Sequence, residues 1–523
     1  MSIRSLRRIG PAACLLLAVL ALSACSLTRP PREVSAPMPA QWHAPLPPTP
    51  ASTPVPVPAP TPAGSAALPH DGSVRVLTEW WRQLEDPLLV ELIDAAENAS
   101  PTLASAAARV SEARANSIAA GAALLPNLAG TASASRGNSQ FAGASGFGGS
   151  TTTASASTAT LIATTMQAGL QASWEIDLFG KLRAGRDAST LRLAGADARW
   201  HQARVSIAAD TANLYFNERA CEQLVTVAEN DATSRGETAR LTELSMRAGF
   251  TAPADAALAR ASAADATNRL TLQRSQCAVV RAGLVALTGL DANVLDQKMA
   301  ATPADRALPR IHAIASVPAE ALAQRPDLYS AELDVAAASA AVGEAQSARY
   351  PRLSLTGSVG RLQLRTQGFT EALDTWSVGP LSLTVPIFDG GALKANVDAA
   401  TSRYDEAASV YRGNVRQAVR EVETALLNLD STARRADDAD VAVQNYQASL
   451  DAMQARYVSG LANLLDLETS RRLLINALTA RVQLQQERSD AWVALYRAMG
   501  GGWVRPDGAT VISQQETTPA KSQ

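Results

Sequence analysis

Two cysteines in the middle of the chain lie where a disulfide can form. Cys221 precedes Gly249 by 28 residues, and Cys277 follows it by 28 residues. If the chain reverses at Gly249 as an antiparallel pair of helices, the two thiols lie opposite each other, and an oxidising compartment would join them. The alternative is a pair of unbonded, small core residues. We predict a disulfide between Cys221 and Cys277.

No other set of residues has the spacing of a catalytic or metal site. The four histidines are scattered along the chain without a metal-ligand spacing: His43, His70, His201 and His312. The sequence also lacks a Walker loop, a Gly-x-Ser-x-Gly motif and a dinucleotide-binding fingerprint. We therefore predict no enzyme activity, no catalytic residue, no metal and no cofactor other than a covalent lipid.

That lipid is predicted at Cys25. Three arginines precede a short apolar run at 11–21, which is the pattern of an export signal. The next residues, Leu22-Ser23-Ala24-Cys25, resemble the lipobox of bacterial lipoproteins, so Cys25 would carry S-diacylglycerol and N-palmitoyl groups. Ser26, rather than Asp, after the cysteine favours delivery to the outer membrane. The alternative is an ordinary signal peptide with a chance cysteine.

Composition limits what the rest of the chain can be. Proline dominates between Arg29 and Ala63, so we expect an extended, poorly ordered spacer that packs into no core. A net charge of −2 argues against a nucleic-acid partner, and the 4% aromatic content suits close helix packing. We divide the chain into a lipoprotein signal peptide at 1–24, a lipid anchor and proline-rich linker at 25–78, repeats at 79–300 and 301–502, and a flexible C-terminal tail at 503–523.

Long helices must position these residues. From Val397 to Tyr457, steps alternating four and three residues meet no charged side chain, which predicts a helix packed along its whole length. Its roughly 60 residues would reach about 90 Å. A second long helix is predicted from Lys181 to Arg247, although Asp210 and Asn217 interrupt its seam. Shorter helices are predicted at 87–98, 101–124, 253–287 and 464–499.

Two pairs of segments change to a period of two residues, which predicts strands. The first predicted strand begins at Leu128 and the second runs from Met166 to Leu178. The third begins at Leu353 and the fourth runs from Trp376 to Phe388. In the second and third strands the apolar positions would face one way: Met166, Ala168, Leu170, Ala172, Trp174 and Ile176, with Leu353, Leu355 and Val359. This pattern is typical of a membrane β-barrel. The alternation slips at Gly379-Pro380, which predicts a bulge. Residues 137–163 would form a long extracellular loop or a disordered linker.

One unit of structure is used twice. Pro101 and Pro126 recur as Pro326 and Pro351, and the turn at Gly249 recurs at Gly460. Each repeat reads as helix, strand, strand, long helix, turn and helix. Four strands are too few to close a barrel, because the smallest outer-membrane barrels have about eight. More than one chain is therefore needed, which gives eight strands in a dimer or twelve in a trimer.

Several motifs together resemble the outer-membrane efflux lipoproteins of the NodT type, which are relatives of TolC and OprM. They are the lipobox, Trp174-Glu-Ile-Asp-Leu-Phe-Gly-Lys181, Arg325-Pro-Asp327, Tyr350-Pro351 and Val385-Pro-Ile-Phe-Asp-Gly-Gly391. The resemblance implies a homotrimer with a twelve-stranded barrel in the outer-membrane lipid above a long periplasmic α-helical tunnel. A periplasmic adaptor protein and an inner-membrane efflux pump would be its partners.

The resemblance also assigns roles to the turns. Gly249, Phe250, Gly460 and Leu461 would form the tips that dock the adaptor. Tyr457 and Asp466 match the family's gating segment.

Asp255 occupies the place equivalent to Asp466 in the first repeat, so a trimer would hold six carboxylates near the periplasmic gate. The family's basic gate residue falls on Ala462 and its second aspartate on Thr469, with Glu468 beside it. A gate held by the family's salt bridge therefore does not follow. The alternative is that Asp255 and Asp466 only stabilise the positive ends of their helix dipoles.

The predicted function is a passive export conduit for drugs or other small toxic compounds in a tripartite efflux system. The same tunnel could instead serve protein or peptide secretion through an ABC transporter. A third alternative, a structural coiled-coil lipoprotein without a lumen, is disfavoured by the alternation in the strands.

Overall fold

The computed structural model of the chain describes residues 29–36, 42, 44, 81, 86–140, 160–301, 322, 324–366, 369–503 and 505–506. These residues form eight helices and four strands. In chain order they are α1 Pro87–Ala99, α2 Pro101–Ala122, β1 Asn127–Gln140, β2 Thr160–Ile176, α3 Lys181–Arg247, α4 Pro253–Thr288, α5 Ala292–Ala301, α6 Pro326–Ser347, β3 Arg352–Thr366, β4 Phe369–Thr384, α7 Ala392–Val458 and α8 Leu464–Ala498.

The chain divides into two compact units, and each is discontinuous in sequence. Unit 1 contains Met1–Val34, Ser111–Ala194 and Leu333–Ala408. Unit 2 contains Ser35–Val110, Gly195–Glu332 and Ser409–Gln523. Each unit therefore draws on both of the predicted repeats.

Most helix boundaries agree with the sequence pattern, and two differences stand out: the start of α7 and the short helix α5. The helix predicted from Val397 begins at Ala392, because the two oxygens of Asp389 accept the backbone N–H groups of Gly391, just before the helix, and of Leu393, in its first turn. Hydrogen bonds to the charged carboxylate lower the pKa of Asp389. Helix α5 was not predicted, although Asp291 marks its start by accepting the N–H of Asn293 at 2.9 Å. A helix of ten residues is too short to show a clear apolar period.

The four strands of unit 1 form one antiparallel sheet in the order β1-β2-β3-β4. Its register places the predicted apolar positions of β2 and β3 on the same face, since Leu170 pairs with Val359, which in turn pairs with Trp376. The adjacent row on the other face is polar, with Gln171, Ser358 and Ser377. Farther along the strands the pairs become mixed, and Ala168 lies opposite Arg361. The two-faced pattern is therefore clearest in the half of the sheet nearest Ile176.

The strand boundaries were predicted wrongly at both ends of β4 and at the start of β2, which begins at Thr160 rather than Met166 because its pairing with β1 continues that far. Strand β4 begins at Phe369 rather than Trp376, because its pairing with β3 continues to the end of that strand. It ends at Thr384 rather than Phe388, since Pro386 has no N–H to donate to a ladder. The predicted loop at 137–163 is also too long, because 137–140 belong to β1 and 160–163 to β2. The central part of that segment lies outside the described residues.

The bulge predicted at Gly379-Pro380 is confirmed. The register between β3 and β4 shifts between Leu355 and Gly357, so that two residues of β4 lie opposite one residue of β3. The Gly379-Pro380 peptide bond is cis, and Gly379 has a φ of +105°, a conformation that favours glycine. The bulge restores the apolar positions of β4, Leu381 and Leu383, to the face of Leu355 and Leu353.

The core of unit 2 is built on α3, α7 and α8. Tyr215, Leu426 and Leu495 are among its largest fully buried side chains. The predicted seam of α7 is deeply buried in this core at Ala418, Val422 and Ala425. Tyr446 is an exception, because 37% of its surface is exposed.

The polar residues that interrupt the seam of α3 have partners on α8. Asn217 accepts a hydrogen bond from Gln486. Asp210 lies 3.6 Å from Arg497 in an exposed ion pair. These polar pairs therefore join the two helices at positions where the apolar pattern of α3 is broken.

The expectation that the proline-rich segment packs into no core was wrong for Trp42 and Ala44, whereas its described residues 31–33 are exposed as expected. In unit 2, Ala44 is buried, its N–H donates to Glu423 at 2.8 Å, and Trp42 packs against the core. In unit 1, the carbonyl of Pro30 accepts from Ser339 at 2.6 Å. Proline removes a donor but keeps its carbonyl acceptor, so a proline-rich segment can still bind along a helix.

Among the described residues, no single helix is both long enough and apolar enough to cross a membrane. Helices α4 and α5 meet that test only when they are taken as a pair, and they are bent by 113° where they join.

Candidate gate and docking surface at the helix turns

Two glycine turns connect the antiparallel helices of unit 2, and they share one geometry. Gly249 joins α3 to α4 with a φ of +82°, and Gly460 joins α7 to α8 with a φ of +76°. In the first turn the N–H of Phe250 donates to Ser245 O at 2.9 Å. In the second turn the N–H of Leu461 donates to Arg456 O at 2.8 Å. Both turns therefore use a left-handed glycine to satisfy the last carbonyls of a long helix.

Each turn presents an apolar side chain to solvent directly after its glycine. The exposed fraction is 87% for Phe250 and 71% for Leu461, and Val458 is exposed beside the second turn. A Cβ built on either glycine would meet no atom within 4 Å, so the turns are also sterically open. Exposed apolar residues grouped at one place typically mark an interaction surface.

The two predicted gate carboxylates lie in the first turns of α4 and α8, but their roles in capping differ. Asp466 forms a capping box with Asn463, in which its own N–H donates to the asparagine side chain at 2.8 Å. Asp255 follows Ala252, whose side chain makes no cap hydrogen bond. Both carboxylates are exposed. Asp466 therefore has a helix-capping role within one chain, whatever further role it has in a pore.

Tyr457 lies at the end of α7, and its hydroxyl is 3.4 Å from that of Thr242 on α3. The Thr242 hydroxyl already donates to Thr238 O at 2.7 Å, so the tyrosine is the donor in the contact between the two helices. At this distance the bond is weak. Tyr457 therefore contacts the first helical hairpin but does not by itself hold the two hairpins together.

A buried group of charged side chains, the Arg235 cluster, makes a stronger connection between the hairpins. It consists of Asp231 and Arg235 of α3 and of Glu468 and Arg471 of α8. Arg235 donates to Asp231 at 2.6 Å and forms an ion pair with Glu468. Ser262 of α4 accepts from Arg235 at 2.5 Å and donates to Glu468 at 2.8 Å. Three helices therefore meet at the Glu468 carboxylate.

Arg471 extends the cluster on the other side. It donates to Glu468 at 2.9 Å and to Thr238 of α3 at 2.8 Å, and only 4% of its side chain is exposed. The four charges thus alternate in sign from Asp231 to Arg471. Buried charges are costly to desolvate unless each one is paired, so removing one member should strongly perturb the others.

The sequence contained only a weak signal for this cluster. The gating motif draws attention to Glu468 only as the neighbour of Thr469, and no motif includes Asp231, Arg235 or Arg471. Asp231 and Arg235 are four residues apart, and Glu468 and Arg471 are three apart, as in ordinary helix ion pairs. Such pairs are common on solvent-exposed faces, and so their spacing does not predict that they are buried.

A cavity of about 830 Å³ adjoins the Arg235 cluster between α3, α7 and α8, and its lining includes Asp231 and Arg471. Side-chain packing between these helices is incomplete beside the charges.

The predicted cysteines are joined by a disulfide in the structure. Cys221 of α3 and Cys277 of α4 are both buried, and their Cα atoms are 5.6 Å apart. The bond closes a loop of 56 residues that includes the first glycine turn. It therefore covalently links the two helices that carry that turn.

One acid farther along α8 has an unusual protonation equilibrium. Burial raises the pKa of Asp490 from 3.8 to about 6, and the nearby negative charge of Glu487 adds to the effect. The fold therefore disfavours the charged form relative to water, although the carboxylate still predominates at pH 7.

The one remaining predicted site, the lipidation site at Cys25, has no described geometry. Cys25 lies outside the described residues, as do His43, His70 and His312. Within the described parts of the chain, no group of three or more His, Cys, Asp or Glu side chains could hold a metal ion.

The fold and the sequence are similar to those of known outer-membrane proteins. The chain is 32% identical over 491 residues to the pyoverdine export outer membrane protein OpmQ of Pseudomonas putida, which covers 94% of this chain and 97% of that protein. It is 29% identical to nodulation protein T of Rhizobium leguminosarum bv. viciae, over 84% of this chain and 87% of that protein.

Among solved structures, the outer-membrane channel OprN matches with a TM-score of 0.72 and 27% identity, over 82% of this chain and 93% of that one. The family model described as outer membrane efflux protein matches residues 92–290 and 317–501. The chain belongs to the outer membrane efflux protein family.

Proposed function

We propose that this protein is the outer-membrane channel of a tripartite efflux system and carries small toxic compounds passively out of the cell. The observation that carries the proposal is the similarity to outer-membrane export proteins over nearly the whole chain. The sheet and the helix turns are consistent with it, because both have surfaces that a single chain leaves open.

The sheet supports assembly into a trimer with a twelve-stranded barrel. β1 and β4 each pair with only one strand of the described sheet, which leaves an edge of each strand open. An open edge readily pairs with another strand, so β4 of one copy would pair with β1 of the next. The face with Leu170, Val359 and Trp376 would then contact lipid, and the face with Gln171 and Ser358 would line the lumen.

The glycine turns support docking to a periplasmic adaptor protein. Phe250 and Leu461 offer exposed apolar side chains that a partner can bury. The chain shows no nucleotide-binding motif, so the energy for transport would come from an inner-membrane pump.

The periplasmic gate would close where the two hairpins of each chain are held together. We assign this role to the Arg235 cluster, helped by the contact of Tyr457 with Thr242. Asp255 and Asp466 would supply a ring of six carboxylates in the trimer and favour cations. Cys25 would carry the acyl chains that attach the protein to the outer membrane.

The accumulation of small toxic compounds in a deletion strain tests the proposed function. Loss of the gene should increase accumulation of small toxic compounds as much as loss of its partner pump does, and the intact gene should restore export. Unchanged accumulation together with loss of a secreted protein or peptide would instead assign the tunnel to secretion through an ABC transporter.

A further inference from the structure

The segment that follows the proposed lipid anchor is bound to unit 1. Residues 29–32 begin four residues after Cys25 and lie against α6. The Ser339 hydroxyl of α6 donates to the carbonyl of Pro30 at 2.6 Å. Arg32 lies 3.9 Å from Asp187 in an exposed pair that adds little stability.

A glycine in α6 makes room for Arg29. A Cβ built on Gly343 would lie 2.8 Å from Arg29 Cδ and 2.9 Å from Arg29 Cζ, so an alanine at this position would force the end of the arginine side chain to move away from α6. Glycine inside a helix costs about 1 kcal/mol relative to alanine. The arginine can therefore approach the helix this closely only because position 343 has no side chain.

The binding surface is next to the junction of helices and strands. Ser347, four residues after Gly343, donates to the carbonyl of Phe179 at 3.0 Å. The ring of Phe179 stacks on that of Tyr350 with centroids 5.0 Å apart. These contacts hold the end of α6, which leads into β3, against the end of β2, which leads into α3. Arg29 therefore lies where the strands of the sheet meet their helices.

We propose that the α6 surface at Ser339 and Gly343 is a docking seat for residues 29–32, and that this seat sets where the acylated Cys25 enters the membrane. Four residues of extended chain span at most about 14 Å, so a bound Arg29 keeps Cys25, to which the lipid would be attached, within that distance. The lipid then fixes the depth of the sheet in the membrane as well as tethering the protein. This inference depends on the proposed lipidation of Cys25.

Limited digestion with trypsin tests the seat itself. The bond after Arg32 is the cleavable one, because Pro30 follows Arg29. In the purified, full-length protein, Gly343→Ala combined with Ser339→Ala should increase the cleavage rate after Arg32 about tenfold, since a lost hydrogen bond and lost packing together amount to about 1.4 kcal/mol. Gly413→Ala, in an open part of α7, is the matched control and should leave the rate unchanged. A rate in the double variant equal to that of the wild type would overturn the proposed seat.

A second experiment asks whether the seat acts through the lipid. The fraction of protein that forms detergent-resistant oligomers in the outer membrane is compared for wild type and Gly343→Ala. Each protein is made in two forms, an acylated form with its own lipoprotein signal and a non-acylated form with an ordinary signal peptide in its place. We expect the substitution to lower the assembled fraction several-fold in the acylated protein and to have little effect in the other.

Equal losses in both forms would show that the segment only braces the fold, and would overturn the role in membrane positioning. The mass of the N-terminal peptide reports acylation separately. An unmodified Cys25 would contradict the proposed lipid anchor and this role together, whereas the digestion experiment would still report on the seat.

Discussion

Replacing Glu468 with Gln tests whether the Arg235 cluster holds the two helical hairpins together. The carboxylate of Glu468 accepts bonds from Arg235, Ser262 and Arg471, so this change removes the charge shared by three helices. The amide is nearly the same size as the carboxylate, and so the packing is kept. The substitution therefore removes the charge and replaces one accepting oxygen with an NH₂ group that cannot accept a hydrogen bond.

The size of the loss depends on the hydrogen bonds that remain after the substitution. Breaking a buried ion pair by removing one partner costs about 3–5 kcal/mol. Arg235 keeps its bond to Asp231, Arg471 keeps its bond to Thr238, and the amide oxygen still accepts one hydrogen bond. We therefore expect a loss of about 2 kcal/mol in the contact between the hairpins, which corresponds to a roughly 30-fold shift of a closed-to-open equilibrium.

Single-channel recording in planar bilayers measures that shift. Because a trimer contains three copies of this contact, the open probability of Glu468→Gln should exceed that of the wild type by at least about 30-fold while the open state is rarely populated, with the conductance of the open state unchanged. Glu237→Gln is the control, because Glu237 and Arg240 form an ion pair on the exposed surface of α3. Equal open probabilities for the wild type and Glu468→Gln, with both assembled, would refute the reasoning.

Three further outcomes follow from the structure. Reduction or serine substitution of Cys221 and Cys277 should lower the thermal midpoint of unfolding, because a 56-residue loop corresponds to at most about 4 kcal/mol of loop-closure entropy; an unchanged midpoint in calorimetry would contradict this. Asp490→Asn should stabilise the protein by up to about 3 kcal/mol at pH 7 but not at pH 4. The reason is that the raised pKa of Asp490 makes the free energy of unfolding of the wild type fall as the pH rises from about 4 to about 6. Equal gains at both pH values would argue against the raised pKa. Phe250→Asp with Leu461→Asp should abolish efflux and binding of the adaptor while leaving bilayer conductance intact; retained binding in pull-down assays would exclude the turns as the docking surface.

The parts of the fold that the sequence predicted well are those with long periodic patterns. The uncharged seam of α7 extends over many turns, so its register could be read without knowing what packs against it. The alternation in β2 and β3 likewise placed Leu170 and Val359 on one face, and the register of the sheet confirms it. The bulge at Gly379-Pro380 was predicted because the alternation changes phase at a residue pair that cannot continue a ladder.

The missed features depend on contacts between residues far apart in sequence. Arg235 and Glu468 are separated by 233 residues, and neither has a local pattern that distinguishes a buried charge from an exposed one. The binding of Pro30 to Ser339 was missed for a related reason, since proline-rich composition predicts backbone conformation but not where the carbonyls find donors. Helix α5 was missed because ten residues are too few to establish a period.

The central claim is that several copies of this chain together enclose a conducting lumen. Reconstitution of the purified, full-length protein into planar bilayers tests it most directly. We predict discrete conductance steps from detergent-stable trimers, with cation selectivity that falls when Asp255 and Asp466 are replaced by Asn. Trimers that insert into the bilayer and pass no current, even in the Glu468→Gln variant, would contradict the account.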